Sequence, residues 1–162
     1  MSEAQKVLLR VQSTFRVSRG QGLPARLLAT CMRLPKAGDG VPTTLVITLE
    51  AGKERWDRRF GNRRVETVCQ RLGNGRWLER FGWIEFEFVT RREGNRIHHD
   101  QLACRVKIWG ISIPLPRGLS PSVLGVEEVF GDGTKSVHVV VSAPWVGQLV
   151  EYCGVIPWNG EG

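Results

Sequence analysis

The sequence predicts an α+β domain, mainly antiparallel β, with about ten strands curled into a barrel or strongly curved sheet that grips one helix. Three observations predict it. Apolar and polar residues alternate along most of the chain, a single stretch switches to helical period, and nearly every connection is as short as a hairpin turn. Short connections make sequence neighbours spatial neighbours, and so many strands in series twist until a flat sheet cannot be kept. Closure hides the edges, and the apolar face of the helix then packs in or across the opening.

The elements follow in order. Val7, Leu9, Val11, Ser13, Phe15 and Val17 alternate with Leu8, Arg10, Gln12, Thr14 and Arg16, which is a long first strand broken by 18–22. From Leu23 the period changes. Pro24 suits a first helical turn, and Leu27, Leu28, Cys31 and Leu34 recur opposite Arg26, Thr30 and Arg33 until Pro35 and Gly38-Asp39-Gly40 stop the helix. Strands over 43–50 and 54–60 join at Ala51-Gly52, and Gly61-Asn62 leads to a strand over 63–72. Gly73-Asn74-Gly75 turns into 76–81. Beyond Gly82, in 83–90, Ile84, Phe86 and Phe88 alternate with Trp83, Glu85 and Glu87. A polar turn over 91–95 precedes the strand 96–109, with Leu102, Cys104, Val106 and Ile108 on one face. The proline-rich segment 110–125 reads as a long ordered loop, a lid or plug for one end. Strands over 126–130 and 135–142 flank Gly131-Asp132-Gly133, and 144–147 turns into the last strand, 148–156. One domain, 1–156, is expected, with a frayed glycine-rich tail over 157–162.

Composition narrows the function. The net charge is +7, but carboxylates interrupt both arginine groups, at 55–64 and 91–96, so solvated basic faces are expected rather than a nucleic-acid strip. The four cysteines are far apart with no Cys-x-x-Cys, and His98 and His99 face opposite ways in a strand while His138 stands alone. Reduced, mostly buried thiols and no metal site are the reading. No stretch approaches the ~20 apolar residues of a membrane span, and residues 6–17 are too polar for a signal peptide. The expectation is a cytoplasmic protein with no membrane partner.

The stretch Glu54-Arg55-Trp56-Asp57-Arg58-Arg59-Phe60 organises the rest. As a strand it puts Glu54, Trp56, Arg58 and Phe60 on one face, so an acid and a base share a face with two large aromatics. If that face looks inward there are two readings. Glu54 is a general acid or base and Arg58 an anion anchor, with Trp56 and Phe60 as the apolar wall. Alternatively, Glu54 pairs with an arginine on an adjacent strand and Arg58 with a carboxylate such as Glu79, fixing strand register. Glu79, between Trp77 and Phe81, repeats the pattern of an acid among aromatics, and Tyr152 could supply a phenol donor from the last strand.

Leu34-Pro35, Val41-Pro42, Glu54-x-Trp56-x-Arg58-x-Phe60, Glu79 followed by Gly82, Ile113-Pro114-Leu115-Pro116 and Val150-x-Tyr152-x-Gly154 occur in this order. Together they resemble the bacterial family catalogued as domain of unknown function 4166. Its members occur alone or fused behind saccharopine-dehydrogenase-like reductases. The resemblance implies small-molecule metabolism, with an NAD(P)-dependent reductase as a candidate partner, but no activity and no cofactor. The glycines at 73–75 and 131–133 sit in hairpins, not in a strand-to-helix dinucleotide turn.

Three function classes stand, one of them nucleic-acid binding through the outward arginines. The first is a cofactor-free isomerase, cyclase or dehydratase acting on an apolar, polyketide-like or terpenoid-like metabolite. In it Glu54, Glu79 and Tyr152 are catalytic and Trp56, Arg58 and Phe60 bind substrate. The second is a non-catalytic carrier or a module docked on a reductase.

Overall fold

The structure, a computed structural model, describes residues 6–158. Its strands are β1 (Lys6–Arg19), β2 (Gly38–Glu50), β3 (Lys53–Phe60), β4 (Arg63–Gly73), β5 (Arg76–Phe81) and β6 (Ile84–Glu93). They continue with β7 (Arg96–Ile108), β8 (Ile111–Pro114), β9 (Ser122–Val129), β10 (Thr134–Ala143) and β11 (Gly147–Pro157), and helix α1 (Leu23–Cys31) lies between β1 and β2. All pairings are antiparallel. The order runs β6-β5-β4-β3-β2-β1-β11-β10-β9-β7, and β7 pairs back onto β6 to close a barrel of ten strands. The short β8 pairs only with the last residues of β7.

Antiparallel strands place their connections alternately at the two ends. The segment 20–37 with α1 and the connections 61–62, 82–83, 109–110 and 144–146 lie at one end, here the helix end; 115–121 joins β8 to β9, which both run antiparallel to β7, and is tied to that end where Trp145 Nε1 donates to the Gly118 carbonyl. The turns 51–52, 74–75, 94–95 and 130–133 lie at the far end.

The main core sits under the helix. Phe15, Val17, Phe60, Leu149 and Val150 pack with Ala25 and Ala29 of α1 and with Leu34. The expected helix face is rotated. Leu27 and Cys31 are exposed, and the buried helical residues are Ala25 and Ala29, with Leu28 partly covered. The reason is close approach: a Cβ on Gly20 would stand 1.9 Å from the Gln148 carbonyl oxygen and 2.9 Å from Ala25 Cβ, a gap that only small residues fit. The helix is also shorter than its pattern. It stops where Arg33 adopts φ 55° and the Leu34 N–H returns to the Ala29 carbonyl at 2.9 Å.

Further expectations need correcting. β2 begins at Gly38, because the Gly38-Asp39-Gly40 run already pairs alongside β1 instead of forming only a break. Leu102 is not on the Cys104 face. The β6–β7 register jumps from Glu87↔Ala103 to Phe88↔Gln101, so Leu102 is a bulge residue, exposed, and the inward set continues as Gln101 and His99. Half of the segment 110–125 is strand. β8 and β9 leave only 115–121 as loop, where Leu115 packs against the second core cluster of Phe86, Phe88 and Cys104. Of the expected tail, Pro157 pairs with Thr134 and the Trp158 N–H bonds the Gly133 carbonyl; 159–162 lie outside the described residues.

Candidate functional site in the barrel interior

β3 sets its inward face by register. Glu54, Trp56, Arg58 and Phe60 stand opposite Leu49, Ile47, Leu45 and Thr43 of β2, and opposite Cys69, Thr67, Val65 and Arg63 of β4. Ile47, Thr43, Thr67 and Cys69 are buried, so this is the interior face of the barrel. Cys69 is paired in turn with Glu79 of β5, and Glu79 with Phe86 of β6, so Glu79 points the same way.

Arg58 is the centre of the arrangement. Its Nη1 and Nη2 both donate to Glu79 Oε1 at 3.1 Å, Nη1 also donates to Thr67 Oγ1 at 2.9 Å, and the guanidinium lies 4.8 Å from the Trp56 ring centroid. Trp56 Nε1 donates to Glu54 Oε2 at 2.9 Å, and Arg71 of β4 holds Glu54 Oε1 at 3.1 Å. Tyr152 of β11 leans on Phe60 at 5.0 Å and Phe15 at 6.2 Å between ring centroids. Gly154 makes room for this: a Cβ there would stand 2.6 Å from the Phe15 ring. The Val150-x-Tyr152-x-Gly154 spacing thus reads as core anchor, inward phenol, and space for an aromatic ring.

The structure therefore makes the ion pairs Arg58–Glu79 and Glu54–Arg71 of the register reading, and it also leaves reactive atoms unoccupied. Neither Glu79 Oε2 nor the Tyr152 hydroxyl hydrogen-bonds to a described residue. Among the described residues no fully buried side-chain polar atom lacks a partner, so both atoms border space that water reaches. Arg58 and Glu79 point the same way: protein encloses the guanidinium, yet their side chains keep 16% and 14% of their surface accessible.

Protonation states follow. Burial alone would lower the Arg58 pKa, but Glu79, then Tyr152 and Cys69, outweigh it and hold the guanidinium above its ordinary range, permanently charged. Burial pushes the Tyr152 phenol up, Arg58 opposes and Glu79 adds, so Tyr152 is an O–H donor at neutral pH and not a base. Burial likewise pushes the Cys69 thiol up, reinforced by Glu79 against Arg58, which leaves it a poor nucleophile.

A second polar cluster lies on the inward face near the far end and was missed. Trp77 Nε1 donates to Thr90 Oγ1 at 3.0 Å, and Thr90 Oγ1 bonds His99 Nδ1 at 3.1 Å. His99 Nε2 stands 3.5 Å from Glu127 Oε1, and Lys135 Nζ binds Glu127 Oε2 at 2.7 Å. Burial would raise the Glu127 carboxyl, but His99 and then Lys135 reverse this and bring it to about 2. The bulge at Leu102 hid this group. One trace of it stood in the sequence, Gly125 opposite His99, where a Cβ would press on the imidazole at 3.3 Å.

None of the six sequence-derived site residues lines the hollow of about 330 Å³ on the outer wall, which Lys53, Arg55, Val68, Leu78, Arg80 and Lys107 border. Among the described residues no group of three or more histidine, cysteine or acidic side chains is placed to hold a metal ion.

Fold and site together define a closed antiparallel barrel with one short helix packed on β11 and β1, and with ion pairs on its interior face. The chain belongs to the family described as Domain of unknown function (DUF4166), whose model matches residues 1–156. No curated protein and no solved structure matches it.

Proposed function

We propose that the barrel takes a small, mostly apolar metabolite, polyketide-like or terpenoid-like, into its interior and performs cofactor-independent acid–base chemistry on it. The observation that carries this reading is the trio at its centre: Glu79 Oε2 and the Tyr152 hydroxyl, neither hydrogen-bonded to a described residue, beside the charged Arg58. Glu79 accepts a proton from a carbon next to a carbonyl, while Tyr152 and Arg58 donate hydrogen bonds to the oxygen as it gains charge. Returning the proton at another carbon completes an isomerisation; loss of a hydroxide leaving group from the same enolate gives a dehydration. Glu54 serves as the second acid/base, and Trp56 as the apolar wall. Phe60, at 4% exposure, acts from behind by fixing the Tyr152 ring.

A second reading is a non-catalytic carrier or reductase-docked module. It draws support from the ion pairs, which satisfy Arg58 and Glu54 without any ligand.

The test is to incubate the protein with a small-molecule extract of its host in deuterium oxide. The catalytic reading expects one or a few metabolites to gain deuterium only when protein is present, and Glu79→Gln to abolish the gain. Binding without any deuterium gain would leave the carrier.

A further inference from the structure

The helix end of the barrel carries the most exposed large apolar side chains of the described chain. Trp109 is 97% exposed, Trp145 93% and Trp83 75%, and Leu23, Leu27 and Leu119 are exposed beside them. Each tryptophan occupies a different connection: Trp83 that between β5 and β6, Trp109 that between β7 and β8, and Trp145 that between β10 and β11. Hydrogen bonds tie two of them to neighbouring elements of the rim. The Lys107 N–H bonds the Trp83 carbonyl at 2.7 Å, and Trp145 Nε1 donates to the Gly118 carbonyl at 3.0 Å, in the loop that carries Leu119. Helix α1, with Leu23 and Leu27, packs on β11 just beyond Trp145.

Two features set this rim apart from ordinary scattered exposure. Trp109 and Trp145 sit at φ 48° and 66°, in the left-handed region, where a bulky side chain is strained and glycine or asparagine would suit the turn. The charge also leans one way: the connections 20–37, 61–62, 82–83, 109–110, 115–121 and 144–146 hold Arg26, Arg33, Lys36 and Arg117 and not one aspartate or glutamate, and the exposed Asp39 that follows at the start of β2 is paired with Arg16.

We propose that this end docks on an anionic lipid bilayer, with the tryptophans and leucines at headgroup depth and the four cations against lipid phosphates and carboxylates. The sequence reading expected no membrane partner because no stretch is long enough to span. Among the described residues no helix is long and apolar enough to cross a membrane, and interfacial docking requires none. The apolar groups are tips on separate turns rather than one flat patch. A bilayer interface accommodates separate tips, whereas a protein partner needs a matching pocket for each. This inference is independent of the chemistry of the interior.

The experiment is co-sedimentation of the full chain with vesicles of phosphatidylcholine, with and without phosphatidylserine, alongside intrinsic tryptophan fluorescence. Binding to the serine-containing vesicles is expected, weakened by salt, with an emission blue shift. The double variant Trp109→Asn/Trp145→Asn, whose new residues tolerate φ > 0, should keep the fold and bind about tenfold more weakly. No binding to anionic vesicles overturns the proposal, as does equal binding by the double variant. So does tryptophan-dependent self-association without vesicle binding, which would make a second copy the occupant.

Discussion

Arg58→Met tests the interior directly, because it removes the cation paired with Glu79 while roughly preserving length. Glu79 then loses both guanidinium contacts, and Thr67 loses its donor. Breaking a buried ion pair from one side costs about 3–5 kcal/mol, since the remaining charge is left uncompensated. The 16% and 14% accessibility of the two side chains lets water rehydrate part of that charge, so about 3 kcal/mol is expected. Glu79→Gln keeps an acceptor for Arg58 and should cost about 2 kcal/mol. The double variant Arg58→Met/Glu79→Gln strands no charge, so it should be more stable than the sum of the singles implies, with a coupling of about 2 kcal/mol. Urea unfolding of the four proteins at neutral pH measures the cycle, with equal slopes required for comparison. Additive losses, or a coupling under about 0.5 kcal/mol, would refute the reasoning and mean that water screens the pair.

Other parts of the fold give sharp expectations. Glu127 has a folded pKa of about 2, below its unfolded value, so its contribution is fully present above the ordinary carboxylate range and is lost as pH falls toward 2. Wild type should therefore exceed Glu127→Gln in stability by up to about 3 kcal/mol at pH 7, with the gap shrinking on acidification; a gap independent of pH would contradict the ion pairing. Gly154→Ala drives a methyl to 2.6 Å from the Phe15 ring and should cost about 1–3 kcal/mol in thermal or urea unfolding. Iodoacetamide followed by peptide mapping should label exposed Cys31 long before Cys69, which is buried and held as a thiol; early labelling of Cys69 would show that the interior opens readily.

Much of this architecture was legible because its causes are local. Period-2 alternation placed Glu54, Trp56, Arg58 and Phe60 on one inward face, and short turns such as Ala51-Gly52 and Gly61-Asn62 fixed neighbour pairing. Closure of the barrel between β6 and β7 also follows from hairpin order and the need to hide edges. What the pattern could not carry was non-local. The buried helix face depends on the Gly20–Gln148 approach, so small alanines win over the larger leucines. The bulge at Leu102 inverts the faces of half a strand, and with it the Thr90–His99–Glu127 group disappears from a strict alternation. The break of 110–125 into β8 and β9 depends on two different parts of β7 taking two different partners. Identity of the acid–base pair was readable as residue types, but which oxygen stays unoccupied is a matter of geometry.

Native mass spectrometry of the protein, purified gently from its own host, tests the central claim most directly. The account predicts a fraction of molecules carrying a small-molecule adduct that is released on unfolding and is lost when Trp56 is replaced by Ala in a still-folded chain. A bare chain mass under conditions that preserve the fold would contradict a ligand-holding interior, and the Arg58–Glu79 pair would then serve only to pin the strands around it.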